Sequence, residues 1–357
     1  MSMKRIVCLG EVLLRLGAPG HEPLLRSPRL ETSVGGAEAN VAVALAALGL
    51  DAALVSTLPA NPLGDACLGE LRRHGVDTAG IARAPGRLGL YFLTHGAMQR
   101  ASEVVYDRAG SAFATADPSC YDWPRLLAEG SWLHVTGITL ALGAHCEQAV
   151  EAALRTALAQ GVRVSFDCNF RPSLWRGREQ EGRRLLAATA RQADLLFASS
   201  ADAELLLGVD TKPQRDSERI SAMAAGLFAE CPRLRWLAGT HRVVHSAGRH
   251  ELSGFLAERG SADNGGRLRL WRVTGLRWTE SSIALARAMP MPLACSTASR
   301  RHWTRCRASR SPLCWPLSST RSRATSSLCL RKRSAPRYVR VQATCVASQA
   351  TSRSRCQ

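Results

Sequence analysis

The first 280 residues predict an α/β protein with a mostly parallel central sheet, helices on both faces and a small β flap. Short apolar runs that end at Gly, Asp or Asn alternate with Ala- and Leu-rich helical segments, the order of βαβ units. The chain is 46% hydrophobic but only 5% aromatic, as helix-covered parallel sheets often are. A body of this length suits one large domain with a small appendage.

Arg5 to Leu9 is a first buried strand ending at Gly10-Glu11, and Val12 to Leu16 either continues it or starts a second. Pro19 to Ser33 is polar, turn-rich and irregular. Asn40 to Leu50 is a strong helix, filled by Ala and Leu, with Gly49 placed for a left-handed cap. Ala52 to Thr57 is a strand and Asn61 to His74 a helix whose charges fall mainly outward. Gly89 to Leu93 and Glu103 to Tyr106 are short paired strands of an antiparallel flap. Trp132 to Thr136 returns to the main sheet, followed by a helix over Cys146 to Ala159. Strands at Val162 to Asp167, Leu195 to Ala198 and Leu234 to Ala238 alternate with helices at Glu179 to Ala190, Ala201 to Leu207 and Asp216 to Glu230. From His241 to Leu256 the sequence alternates as a strand does.

Ser281 to Gln357 is a different kind of sequence. Its 77 residues hold 14 Arg, one Lys, 15 Ser and six Cys, and no Asp or Glu. The formal charge of +18 therefore belongs mainly to this segment, and the body alone is nearly balanced. No helical or strand period is sustained there, so a disordered basic tail is expected over 277–357, with a folded body over 1–276. Basic and aromatic residues share no recognisable face, which argues against a specific nucleic-acid partner. Cys8, Cys67, Cys120, Cys146, Cys168 and Cys231 of the body are scattered without metal spacing, so reduced thiols and no structural metal are expected. The N-terminal apolar run is too short for a signal peptide and no stretch reaches membrane-spanning length, so a cytoplasmic protein without a membrane partner is expected.

Three constellations could carry chemistry. Gly35-Gly36 precedes the helix that includes Asn40; paired glycines admit a ligand close to backbone, although a tight turn would use them equally well. Tyr91 and Arg108 sit on the flap, a phenol and a guanidinium suited to a hydroxylated anion or simply to solvent. Asp167, Asn169 and Arg171 follow a strand at the carboxyl edge of the sheet, where open α/β sheets bind ligands. They offer an acceptor, an amide and a carboxylate clamp, or alternatively a surface pair closing a turn.

The strand ending in Gly10-Glu11, the Gly35-Gly36-x-x-x-Asn40 helix start and the run Asp167-x-Asn169-x-Arg171-x-x-Leu174-Trp175 resemble the ribokinase, or pfkB-type, family of carbohydrate kinases. The last run is most similar to that of 2-dehydro-3-deoxygluconate kinases. The resemblance implies a ribokinase-like fold with lid segments near 12–34 and 88–110. It also implies ATP and Mg²⁺ as cofactors and a sugar-acid substrate bound by Gly35, Gly36, Asn40, Tyr91, Arg108, Asp167, Asn169 and Arg171. Arg171, helped by Arg108, would pair the substrate carboxylate. A kinase for another sugar, such as a ketose or a nucleoside, and a non-catalytic sugar-acid binding module are the alternatives. A flap edge in such kinases offers a surface for homo-oligomer formation. The family's Asn-x-x-Glu motif, on the nucleotide side, falls on Ser199 to Asp202, where Ser and Asp replace both ends.

Such kinases carry their catalytic base and anion-holding backbone turn in a late Gly-x-Gly-Asp motif. The body has none, so no catalytic residue can be named in the chain's own frame. Reverse translation of Arg277 to Ser299 explains why. Reading the last base of each codon with the first two of the next can give Leu-Asp-Gly-Ile-Val-Asp-Arg-Ile-Gly-Ser-Gly-Asp-Ala-Tyr-Ala-Ala-Gly-Leu-Leu-His-Gly-Leu. That is the missing motif followed by an apolar helix, with the base aspartate straddling the codons of Ala288 and Met289. Cys314 to Ser327 likewise yields a second helix-like stretch in the same shifted frame. A frameshift just before residue 277 is expected.

Overall fold

The structure, a computed structural model, describes residues 5–97, 100–208, 216–246, 249–260, 268–279 and 343–346. In chain order the elements are β1 (Arg5–Leu9), β2 (Leu13–Gly17), β3 (Glu31–Gly35), α1 (Ala37–Ala47), β4 (Ala52–Pro59), α2 (Pro62–Arg73), β5 (Ile81–Ala84), β6 (Gly89–Thr94) and β7 (Glu103–Asp107). Next come α3 (Trp123–Leu127), β8 (Gly130–Thr136), α4 (Gly137–Leu140), α5 (Ala144–Ala159), β9 (Arg163–Asp167), α6 (Glu179–Gln192), β10 (Leu195–Phe197), α7 (Ser200–Leu207) and α8 (Asp216–Glu230). The last described elements are β11 (Trp236–Ser246), β12 (Arg249–Glu258), β13 (Arg269–Thr279) and β14 (Ala343–Val346).

The main sheet has ten strands in the order β14-β13-β12-β11-β10-β9-β8-β1-β4-β5. The pairs from β5 through β11 are all parallel, and β11 to β14 continue antiparallel. Strand β1 shows why the parallel part needs two helical layers. Ile6 and Cys8 enter one core, Val7 and Leu9 the other, and all four are buried. A strand apolar on both faces must be covered on both. Helices α1 and α2 pack on the first face; α3, α5, α6 and α8 pack on the second. This is the doubly covered sheet expected.

The chain leaves β1 for β4 on one side and returns to β8 on the other, so the order reverses at β1. The crevice at the carboxyl ends of β1 and β8 is thus the switch point, the usual place for a ligand in such sheets. Over it stands the flap, a second sheet of four strands in the order β3-β2-β6-β7. Strand β7 is its open edge, with Val104, Val105 and Tyr106 exposed.

Three segments differ from the reading above. Glu31 to Gly35, read as partly irregular, is strand β3: Thr32, Ser33 and Val34 pair with β2 and supply the flap's outer ladder. The strand expected over Leu234 to Ala238 starts at Trp236 and runs on to Ser246, because β12 pairs along its whole extension. Within the expected tail, Ala343–Val346 forms β14 against Leu270 to Val273, supplying hydrogen bonds to an otherwise open edge. The shifted-frame motif and the rest of the tail lie outside the described residues.

Candidate active site

The site grows from close backbone approaches that only particular residues permit. Gly36, at the N-terminus of α1, has φ 145°, and a Cβ there would sit 2.2 Å from the Glu11 carbonyl oxygen. Glycine is therefore required for β3 to turn into α1 against the end of β1. The neighbouring Gly35 brings groups of the flap and helix together. A Cβ on it would lie 3.3 Å from the Tyr91 hydroxyl and 3.8 Å from Asn40 Oδ1. Gly35, Gly36, Asn40 and Tyr91, separated by over fifty residues in sequence, thus converge on one spot at the switch point.

Glu38, in the first turn of α1, locks that helix to the sheet. Its buried carboxylate accepts hydrogen bonds from Thr136 N at 3.1 Å, Thr136 Oγ1 at 2.7 Å and Thr139 Oγ1 at 2.7 Å. Burial pushes its acid range up, and the hydroxyl donors of Thr139 and Thr136 pull it back. Glu38 is a positioning residue that sequence reasoning did not single out. Its partners lie about a hundred positions away, beyond the reach of any local pattern.

A second buried carboxylate holds the flap. Glu11 is 2% exposed and forms an ion pair with Arg108, whose Nε donates to it at 2.8 Å; Ser111 Oγ donates to its other oxygen. Arg108 also stacks over Tyr106, 5.7 Å from the ring centre. Its charge is thereby matched within the protein. The structure places Arg108 at the flap's root as a latch partner.

At the far side of the crevice, β9 ends in Asp167, whose Oδ1 accepts from Asn169 N at 3.1 Å. Asn169 adopts φ 37°, in the left-handed region unusual for a residue with a side chain, and the Asp167 bond closes that turn. Arg171 is exposed at the start of a 3₁₀ turn over Pro172–Leu174, and no carboxylate among the described residues forms an ion pair with it. Trp175 anchors the loop: it is 1% exposed and packs against Gly182, where a Cβ would come within 2.6 Å of its ring. The Asp-Asn-Arg run is therefore a fixed loop with its cation presented outward.

Burial pushes the Asp167 carboxyl up to about 7, with the nearby Asp202 charge adding to the shift and Asn169 N–H and Arg171 opposing it. In the unfolded chain this carboxyl titrates near 3.8. Between those values the folded state holds a proton that the unfolded state has lost. Its contribution to stability is thus full below 3.8 and is lost as pH rises through about 7. The urea midpoint is expected to fall as pH rises from about 4 to about 7, and Asp167→Asn to lessen that fall.

Ser199 and Asp202, expected on the nucleotide side, start α7. Ser199 Oγ accepts from Asp202 N at 3.2 Å, and Asp202 Oδ2 accepts from Ser199 N at 2.8 Å and Ser199 Oγ at 2.7 Å, a reciprocal capping box. Both ends of the replaced Asn-x-x-Glu motif are thus used on each other. Beside Ser199 a shallow pocket is lined by Arg219, Thr240, His241, Ser253 and Arg272 among others. These residues were missed because they collect from α8, β11, β12 and β13, which only the sheet brings together. Among the described residues no group of three or more His, Cys, Asp or Glu side chains could hold a metal. No helix among them is long and apolar enough to cross a membrane.

Residues 3–235 match the family model described as pfkB family carbohydrate kinase. The chain belongs to the pfkB family of carbohydrate kinases. It is 33% identical over 225 residues to the 2-dehydro-3-deoxygalactonokinase of Haloferax volcanii, covering 62% of this chain and 68% of that one. Among solved structures, it is similar to the 2-dehydro-3-deoxygluconokinase of Thermotoga maritima, with TM-score 0.69 and 37% identity over 75% of this chain and 79% of that one. It also resembles the fructokinase of Xylella fastidiosa with bound ATP, at TM-score 0.55 and 26% identity over 71% of each chain. The chain spans 68% of the length of the Haloferax volcanii relative and 63% of that of the 2-dehydro-3-deoxygluconokinase of Thermoproteus tenax. The pfkB match ends before β11, so it covers the flap and the sheet from β5 to β10.

Proposed function

We propose that this is the substrate-binding body of an ATP-dependent 2-dehydro-3-deoxygluconokinase, whose product is the sugar acid phosphorylated at O6. The observation that carries the reading is the β9 loop, where exposed Arg171 follows Asp167 at the carboxyl edge of the sheet and no carboxylate among the described residues forms an ion pair with it. A guanidinium there suits a carboxylate-bearing sugar better than a neutral ketose. Gly35, Gly36, Asn40 and Tyr91 would line the sugar's hydroxyls, and Asn169 the loop between them and Arg171. The pocket at Thr240, His241 and Arg272 would take the nucleotide, its cations facing the phosphates.

Magnesium in phosphoryl-transfer sites is held through phosphates plus one or two carboxylates rather than in a protein cage. Asp202 and Asp167, close enough for one charge to raise the other's acid range, fit that modest requirement. When bound with ATP, the ion would neutralise charge on the phosphates. The chain's own residues here bind, orient and shield the sugar. They supply no base for its hydroxyl and no backbone turn for the transferring group. We further propose that both lie in the shifted frame across codons 277 to 299, leaving a 357-residue chain that binds sugar acid without turning it over.

Binding of 2-dehydro-3-deoxy-D-gluconate and of D-fructose to the full chain, followed by calorimetry, tests the reading. The acid is expected to bind more tightly, and Arg171→Ala to weaken the acid roughly tenfold to a hundredfold while leaving fructose unchanged. Tighter binding of fructose would instead assign the body to a neutral-sugar kinase.

A further inference from the structure

One cation stands where no local rule calls for it. Arg178 is the N-cap residue of α6 and makes no side-chain capping bond to the helix. That position favours Ser, Thr, Asp or Asn, and the helix dipole there opposes a positive charge. The side chain is committed elsewhere. Its guanidinium lies over the buried Trp175 ring, 5.2 Å from the centre. Nε donates to Glu181 Oε2 at 2.8 Å, and Nη2 donates to Glu147 Oε1 at 2.8 Å. Glu181 belongs to α6 and Glu147 to the first turn of α5, so one planar fork joins two helices and the ring.

The backbone carries this contact back to Arg171. Leu174 N donates to Arg171 O at 2.9 Å, Trp175 N to Pro172 O at 3.2 Å and Arg178 N to Trp175 O at 2.7 Å. Gly182 N then donates to Arg178 O at 2.9 Å, the bond that opens α6. Successive turns thus leave little slack between Arg171 and Arg178. The two ion pairs of Arg178 are partly open to solvent, and such pairs add little to stability. Their main effect is on where Trp175, and the loop it ends, stands relative to α5 and α6.

We infer that Arg178 is a positioning residue of the β9 loop, one that acts through Trp175 and the turns before it to fix the angle at which Arg171 is presented. The inference rests on the sugar-acid reading and deepens it by naming what keeps the loop in place before the ligand arrives. A loop already ordered loses less freedom on binding, so its order is read as affinity. Without the fork, Trp175 keeps its contact with Gly182 but loses its tie to α5, and Arg171 samples more directions than the bound one.

A double-mutant cycle tests it, with 2-dehydro-3-deoxy-D-gluconate titrated calorimetrically into the full 357-residue chain, Arg178→Gln, Arg171→Ala and the double variant. Arg178→Gln is expected to weaken the acid about tenfold with the urea midpoint nearly unchanged. In the Arg171→Ala background the same substitution should cost nothing further, because the group it positions is gone. An equal loss in both backgrounds, or no loss in either, would overturn the role of Arg178 and leave the sugar-acid reading standing. A native chain that binds D-fructose more tightly than the acid, or binds neither, would overturn both. Where Arg178→Gln fails to fold, Glu147→Gln decides, since it cuts the tie to α5 and spares the one to Glu181. A loss confined to the chain that keeps Arg171 upholds the inference; an equal loss in both, or none, overturns it.

Discussion

Correcting the reading frame just before codon 277 is expected to raise ATP-dependent phosphorylation of 2-dehydro-3-deoxy-D-gluconate at least about a thousandfold over the 357-residue chain. A positioned general base is worth roughly 10² to 10⁴ in rate, and one donor that holds developing charge roughly 10² to 10³. The two act on the same transition state, so their effects do not simply multiply, and a thousandfold is a floor. Binding should change far less than turnover, because Asn40, Tyr91 and Arg171 lie in the unshifted body. The measurement is appearance of the 6-phosphate by phosphorus NMR, with a frame-corrected chain carrying Asn at the aspartate across codons 288 and 289 as control. Ordinary turnover by protein of verified 357-residue sequence would sink this expectation.

The largest effect on stability is expected from Glu11→Ala. The substitution strips the only carboxylate that meets Arg108 among the described residues, and Arg108 is 8% exposed. Removing one partner of a buried pair leaves an uncompensated charge, a loss of about 3–5 kcal/mol, and Ser111 loses its acceptor as well. Replacing both charges by apolar residues, Glu11→Leu with Arg108→Met, is expected to recover most of that loss, since the attraction between the pair offsets little more than its desolvation. Urea unfolding of the two single variants and the double gives the coupling directly. A Glu11→Ala cost below about 1 kcal/mol would show that Arg108 reaches water or another anion when Glu11 is gone.

These expectations draw on features that differ in how far the sequence shows them. The run Ile6 to Leu9, apolar at every position, could only be a strand covered on both faces, and the Ala- and Leu-rich segment after Gly36 could only be a helix. Gly35-Gly36 and the Asp167 to Trp175 run were visible because each packs its chemistry into a few consecutive residues. Trp175 was visible as a motif residue, but its work, anchoring the Asn169 turn on Gly182, appears only in three dimensions. Strand β3 was hidden because its ladder partner, not its own composition, makes it a strand. The Glu11–Arg108 and Glu38–Thr136 contacts join residues about a hundred positions apart, which no local pattern records.

The nucleotide sequence across codons 277 to 299 tests the central claim most directly. If the catalytic turn lies in the shifted frame, the bases must spell it. The codons of Leu285, Arg287 and Ala288 must each end in G, giving Gly, Gly and Asp when joined to the first two bases of the codons that follow. The codon of Ala286 must end in T for the intervening Ser. Those four bases are the predicted result. An Ala288 codon ending in A, C or T would place Asn, His or Tyr where the base aspartate belongs, and would contradict the account.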